Sequence, residues 1–221
     1  MKNKGTLIAV SWPQTPVLKE GKWYDGIMKT LGFLKNDFYE AGHASLVMVN
    51  HKEKEFLYLD FGRYHTPKKH GRVRDKFTDP DLTIYTKAII EGNKIMNLEA
   101  LFEELAGLKA THGEGRLIAS EMYTKRYDRV FKKAKKIQKR EAIKYGPFNI
   151  GGSNCSRFVT QSCRVSKFGP IKKFLVYFPY TVTPTPITNV KIINDYSYYH
   201  EYKNGKLIKK KNFLNFYKNE A

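Results

Sequence analysis

The alternation of apolar and polar residues predicts strands first. Thr6–Trp12 is an apolar stretch ended by Pro13 and Pro16 and reads as a first strand. His43–Val49 (HASLVMV) and Glu55–Phe61 (EFLYLDF) are two more, joined by the polar run 50–54 and therefore expected as an antiparallel hairpin. Both are apolar at odd and even positions alike, which predicts a sheet covered on both faces. Shorter strands are expected at Leu82–Thr86, Ala88–Glu91, Arg116–Ser120 and Val190–Ile193. Tyr196–Lys203 and Lys206–Lys211 flank Asn204-Gly205, the signal of a two-residue hairpin turn.

Helical spacing enters between these strands. Ile27, Met28, Leu31 and Leu34 predict a short helix over Asp25–Asp37. Asn97 is placed as the N-cap of a helix over Leu98–Leu105, with Gly107 near its stop. The longest helix is expected over Thr124–Tyr145, on the stripe Tyr127, Val130, Ala134 and Ile137, with Gly146-Pro147 as its stop. Glu141 falls near that stripe and is expected to be partly buried. Ser153 is expected to cap a last helix running through Phe158 and Val159 to Cys163. Beyond it Phe178–Pro186 reads as extended and Pro-punctuated. Together the elements predict an α+β fold with a main domain over 1–170 and a C-terminal β extension over 171–221 packed on it.

Composition narrows the class. The 221 residues are 41% hydrophobic and 14% aromatic, which excludes a disordered chain. A chain of this length buries a core without needing a disulfide or metal staple. Cys155 and Cys163 are too few and too close for a disulfide framework. No apolar run reaches the roughly 18 residues of a transmembrane helix. Leu7–Val10 is too short for a secretory core, so a cytoplasmic location is expected. Lys and Arg number 40 against 21 Asp and Glu, a net charge of +19. Such a field favours anionic polymers or surfaces as partners and says nothing about fold. The segment Thr124–Tyr145 is densely cationic, with only Asp128 and Glu141 in opposition. It reads as a solvated face that also attracts phosphates.

The chemistry concentrates in Gly151-Gly-Ser-Asn-Cys-Ser-Arg-Phe-Val159. A cysteine in the first turn of a helix meets free backbone N–H groups and the positive end of the helix dipole, which favour a thiolate. The same N–H groups can serve as an oxyanion hole, so Ser153, Asn154 and Ser156 are candidates to contact substrate. The alternative is a buried, inert thiol. A nucleophilic thiol needs a base, and His43 opens the first hairpin strand directly after Gly42. Its alternative is a structural histidine bonded to a carbonyl. A hairpin loop centred on His51-Lys52 sets Asp60 opposite His43, about 5 Å away at Cβ, where it can orient the imidazole. A loop centred one residue later sets Gly62 there and removes that argument.

Asn154-Cys-Ser-Arg-Phe-Val159 resembles the Asp-Cys-Ser-Gly-Leu/Phe-Val signature of NlpC-type papain-like cysteine peptidases. In those proteins the Cys precedes the His. Here His43 leads and Cys155 follows, an order that resembles the circularly permuted branch containing YiiX-type and lecithin:retinol acyltransferase-like proteins. The resemblance spans about residues 43–163. It implies a permuted papain-like fold, with the Cys-bearing helix packed on an antiparallel sheet. It further implies that Cys155 is nucleophile, His43 base and Asp60 the orienting residue, in a hydrolase acting on a peptide, amide or ester through an acyl-enzyme. Asn154 stands where the signature has an acid, Arg157 where it has glycine, and Asp60 where His, Asn or Gln is more frequent.

The remaining candidates are weaker. His112 and Glu114 sit in a polar turn, Thr111–Arg116, from which either could reach a site; an exposed loop is the alternative. His65 lies in a basic loop over 65–74 and is expected to be solvated or to touch anions. No Cys/His spacing fits a zinc site, and the glycines before Cys155 lack the Gly-Lys-Ser/Thr of a phosphate loop, so no metal or cofactor is expected. Two readings compete with the peptidase or amidase: a thiol acyltransferase or esterase, and a non-catalytic basic module for nucleic acid or an anionic surface.

Overall fold

Strand β1 (Gly5–Trp12) is buried at every position, and so are β5 (His43–Asn50) and β6 (Phe56–Gly62). This is the consequence of having apolar residues on both parities. The computed structural model describes residues 3–19, 30, 34–35, 38–39, 42–178 and 183–211. The described strands also include β2 (Val17–Leu18), β3 (Leu34–Lys35), β4 (Phe38–Tyr39), β7 (His70–Arg74), β8 (Ile90–Glu91), β9 (Lys94–Ile95), β10 (Leu117–Thr124), β11 (Ile143–Lys144), β12 (Tyr198–Lys203) and β13 (Lys206–Lys211). The helices described in full are α1 (Leu98–Gly107), α2 (Tyr127–Gln138), α3 (Cys155–Cys163), α4 (Pro170–Tyr177) and α5 (Pro186–Ile192).

Eight strands form one antiparallel sheet in the order β11-β7-β6-β5-β1-β10-β12-β13. Alternate residues supply its two faces. Leu7, Leu46, Met48, Leu59 and Phe61 pack against Val130 of α2, Phe158 and Val159 of α3 and Val190 of α5. Ile8, Val10, Val47, Val49 and Tyr58 pack against Leu101 and Phe102 of α1. The protein is therefore α+β, its large antiparallel sheet covered by helices on both sides.

Several elements differ from the sequence-based expectation, each for a local reason. Pro80–Leu82 is a 3-10 turn, and the strands expected at Leu82–Thr86 and Ala88–Glu91 reduce to the small β8–β9 hairpin, turned at Gly92 (φ +59°). Asn97 is the N-cap residue of α1 as expected, its carbonyl accepting from the Leu101 N–H at 3.4 Å, but its side chain makes no cap bond. Its side chain instead accepts from the Ile89 N–H and donates to the Lys87 carbonyl, both at 2.8 Å. Helix α2 buries the expected stripe of Tyr127, Val130, Ala134 and Ile137 but stops at Gln138. The next stripe position is Glu141, which has no apolar surface to bury. It is exposed, takes φ +55° and turns the chain into β11, which pairs with β7. Val190–Ile193 belongs to α5 and its C-cap, not to a strand. Thr185 caps that helix by accepting from the Thr188 N–H at 3.1 Å, and Pro186 occupies its first position. Most of the helix expected over 25–37 lies outside the described residues, but Leu34-Lys35 pairs as a strand with Phe38-Tyr39. The Asn204-Gly205 hairpin forms as expected, with Lys203 opposite Lys206 and positive φ at both turn residues.

Candidate active site

Cys155 is the first residue of α3. The helix start is made by Asn154, whose Oδ1 accepts from the Arg157 N–H at 2.8 Å while its Nδ2 donates to Thr183 Oγ1 at 3.0 Å. The cap is thus Asn154 and not Ser153, which is buried with its hydroxyl donating to the Asn154 carbonyl at 3.3 Å. The first-turn N–H groups of Cys155 and Ser156 have no acceptor within the helix, as at any helix start, and they favour negative charge beside them. Arg157 ties down the preceding loop, donating to the carbonyls of Pro147 at 2.5 Å, Asn149 at 3.3 Å and Gly152 at 3.4 Å. That is its use at a position where the signature has glycine.

His43 opens β5 at the same end of the sheet, behind Gly42. The glycine is required there: its φ is +68°, and a Cβ would stand 2.9 Å from the Trp12 carbonyl oxygen. The β5–β6 ladder pairs Ser45 with Asp60, so the hairpin takes the later-centred loop and direct opposition of His43 and Asp60 is wrong. The contact exists nonetheless, with His43 Nε2 3.2 Å from Asp60 Oδ2. The two residues are diagonal neighbours on one face of the sheet, a separation that long side chains span.

Asp60 is fully buried and surrounded by donors. Arg74, directly opposite it on β7, forks onto both oxygens from Nε at 3.0 Å and Nη2 at 2.7 Å. The hydroxyls of Tyr58 and Tyr64 each donate to Oδ2 at 3.2 Å. The Arg74 guanidinium lies 3.2 Å from the Tyr64 ring centre, and Nη2 also donates to the Ala110 carbonyl at 2.9 Å. On the other flank Trp12 stacks on the His43 ring at 6.0 Å between centres.

Beside its contact with Asp60, the imidazole interacts with the Cys155 thiol as a hydrogen-bonding and electrostatic partner. Burial alone would lower the His43 pKa. The hydrogen bonds and charges of Asp60 and Cys155 outweigh it and raise the value from 6.5 to about 9. Burial likewise pushes the thiol up, but His43, a backbone hydrogen bond from Ala44 and the Ser156 hydroxyl, 3.9 Å from Sγ, bring it below its ordinary value. For Asp60, too, burial is outweighed, by His43 and Arg74, and the carboxyl is held below the usual range. All three shifts favour a thiolate–imidazolium pair backed by a carboxylate. Cys155 and His43 each keep 8% of their surface exposed. Cys163 is in the core, and burial pushes its thiol far up.

The other candidates divide. His112 takes φ +54° and stacks on Tyr64 at 5.4 Å, which sets it beside the Asp60 network. Burial first, then the positive charges of Arg74 and His43, hold its pKa below 6.5. Glu114 is exposed and contributes only its backbone N–H, to Thr15 Oγ1 at 2.9 Å. His65 is exposed on a positive-φ turn and makes no described contact with the three central residues. Among the described residues no group of three or more His, Cys, Asp or Glu is placed to hold a metal ion. The sequence reading missed Arg74, Tyr58 and Tyr64. Tyr58 was visible as the same-face neighbour of Asp60. Arg74 closes a basic run, 65–74, that reads as a loop, although Gly71 and Val73 alternate with it as a strand should.

Residues 7–168, which include all three central residues, match the family described as Type VI secretion system effector TseH-like. The chain belongs to that family. Among solved structures it resembles the crystal structure of the type VI secretion system effector TseH, with a TM-score of 0.61 at 17% identity over 96% of this chain and 100% of that one. At that identity the likeness is one of fold. No curated protein matches the sequence. Among the described residues no helix is long and apolar enough to cross a membrane. Membership among secretion-system effectors gives no support to the cytoplasmic location expected from the sequence.

Proposed function

Starting from that family membership, we propose that the protein is a papain-like cysteine hydrolase of the peptidase or amidase kind, in the permuted order His43, Asp60, Cys155. The observation that supports it best is the junction of three elements: a thiol at the first position of α3, an imidazole at the first position of β5, and a buried carboxylate on β6 holding the imidazole from behind. The Cys155 thiolate attacks the substrate carbonyl, and the oxyanion is received by the N–H groups of Cys155 and Ser156. His43, already protonated, gives its proton to the departing amine, leaving a thioester. It then takes a proton from water as the water attacks. The acid departs and the thiolate re-forms. Asp60 stays ionised throughout and fixes the ring and its tautomer. As a secretion effector, the protein has its substrate to be sought outside the producing cell, and amide bonds of cell-wall peptides are the first class to test.

The test has two parts. Iodoacetamide should label Cys155 fast well below pH 8.5, and His43→Ala should slow it at least ten-fold at pH 6. Wall peptides incubated with the full chain should be cleaved, as read by mass spectrometry, and Cys155→Ala should abolish cleavage. Labelling that is slow and indifferent to His43 would make Cys155 an inert core thiol and end the proposal. Transfer of the acyl group to an amine, in place of water, would convert it to the acyltransferase reading.

A further inference from the structure

The loop that delivers Cys155 is bordered by cations, and their arrangement has a direction. On α2 the buried stripe faces the core, and Lys132 and Lys136 lie on the opposite side, exposed. Lys139 and Arg140 continue this side past the helix end. A rise of 1.5 Å per residue spreads Lys132 to Lys139 over about 10 Å. Lys132, Lys136 and Lys139 form no ion pair among the described residues. Arg140 leads onward: its Nη2 donates to the Gly151 carbonyl at 3.0 Å, four residues before the thiol. The backbone carbonyl of Lys144 on β11 accepts from the Ser153 N–H at 2.9 Å, two residues before it, while its side chain is exposed. The exposed Lys69 is joined to the same point through its carbonyl, which accepts from the Tyr145 N–H at 2.8 Å. Glu141 is the acid in this stretch, and Asp75 is already paired with Lys135 of α2 at 2.6 Å.

We propose that this track, from Lys132 through Arg140 and Lys144 to Lys69, binds a linear anionic envelope polymer, phosphate- or carboxylate-bearing, and leads it to Cys155. The proposal rests on the hydrolase reading only in making the polymer the carrier of the scissile bond. Charge spaced along one helix face and continued by a strand suits an extended chain. A single-stranded nucleic acid would want aromatics between the cations, but Tyr127 and Phe131 of α2 stack on each other at 6.3 Å, with Tyr127 in the core. A lipid surface would want a broad apolar face to insert; the apolar face of α2 is spent on the core, and the loop before Cys155 adds the two exposed side chains Phe148 and Ile150, short of such a face.

The probes are fluorescent poly(glycerol phosphate) and polygalacturonate, with a single-stranded oligonucleotide and phosphatidylglycerol vesicles as rival classes. Anisotropy is measured on the full chain from 50 to 300 mM salt. Lys132→Glu/Lys136→Glu/Lys139→Glu should lose at least ten-fold in affinity for one of the two polymers and flatten its salt slope by about two. Lys203→Glu/Lys206→Glu/Lys211→Glu, at the opposite edge of the sheet and with the same change in net charge, should stay within two-fold. Polymer should also slow iodoacetamide labelling of Cys155 in the wild type and leave it unchanged in the track variant. Equal losses in the two triple variants would reduce the effect to net charge and overturn the proposal. So would tighter binding of the oligonucleotide or vesicles, or binding with no protection of the thiol. The anisotropy comparison of the two triple variants needs neither turnover nor a reactive thiol, so polymer binding along the track can fail while the hydrolase reading stands, and the reverse; thiol protection is read only where the wild type labels fast.

Discussion

Asp60→Asn is the sharpest test of how the site is held. The carboxylate receives five hydrogen bonds from four side chains, all of them donors: His43, Arg74 twice, Tyr58 and Tyr64. An amide in its place keeps one acceptor and turns an N–H toward a neighbour that is itself a donor. It also leaves Arg74, only 5% exposed, without its counter-charge. Removing one partner of a buried ion pair costs about 3–5 kcal/mol, because the other charge stays buried and unpaired. For a chain of this length that is a fall in melting temperature of about 6–20 °C. The double variant Asp60→Asn/Arg74→Met deletes the stranded charge as well, so it should be more stable than Asp60→Asn alone. The sign of that non-additivity separates a network from two independent losses. Chemical denaturation of the wild type, both single variants and the double variant supplies the cycle. A loss under about 1 kcal/mol for Asp60→Asn, or simple additivity with Arg74→Met, would refute the reasoning. Iodoacetamide labelling at pH 6 should slow in the same variant, since the imidazole loses the charge that helps keep it protonated.

Three further outcomes follow from the same geometry. Gly113→Ala should destabilise the fold by about 1–3 kcal/mol and slow labelling of Cys155, because the new Cβ would lie 2.3 Å from the indole of Trp12, which stacks on His43; a melting curve that does not move would contradict this. Cys163 should resist iodoacetamide in the native protein across pH 6–9, its thiol pushed up by burial, and mass mapping of the labelled peptides decides it. The raised pKa of His43 contributes stability fully present below 6.5 and lost as pH rises through about 9. The lowered pKa of Cys155 contributes stability present above 9.0 and lost as pH falls through its folded value. Between the folded pKa of the thiol and that of the imidazole the proton merely moves from sulfur to imidazole, so wild-type stability should be flat over that window, up to about pH 9. Cys155→Ala should instead decline with pH over that window. Denaturant titrations at intervals of half a pH unit check it, and parallel curves for the two proteins would refute it.

The parts of this fold legible in the sequence were those in which one segment carries its own instruction. The two-sided apolarity of β1, β5 and β6 foretold a sheet covered on both faces, and the stripe on α2 foretold which residues it buries. The illegible parts depend on what a segment meets. Nothing in Arg74 announces a buried charge until β7 sets it beside Asp60. The register of the β5–β6 hairpin turned on a loop that four polar residues, His51–Lys54, leave ambiguous by one position. That slip mattered less than the strict opposition argument allowed. In an antiparallel pair a loop recentred by one residue moves each cross-strand partner by two, which preserves the face. His43 and Asp60 therefore share a side of the sheet in either register, and only the choice between direct and diagonal contact was at stake. The thiol comes from elsewhere: Cys155 packs with the opposite face, among the residues of α2, α3 and α5. The two meet because His43 is the last paired position at its end of the sheet, where a side chain rooted on one face can reach round to a helix lying on the other. A histidine two residues further into β5, at the place of Ser45, would face Asp60 directly and have the sheet between itself and the thiol. The position of His43 at the strand end, set by Gly42, does more for the junction than the hairpin register does.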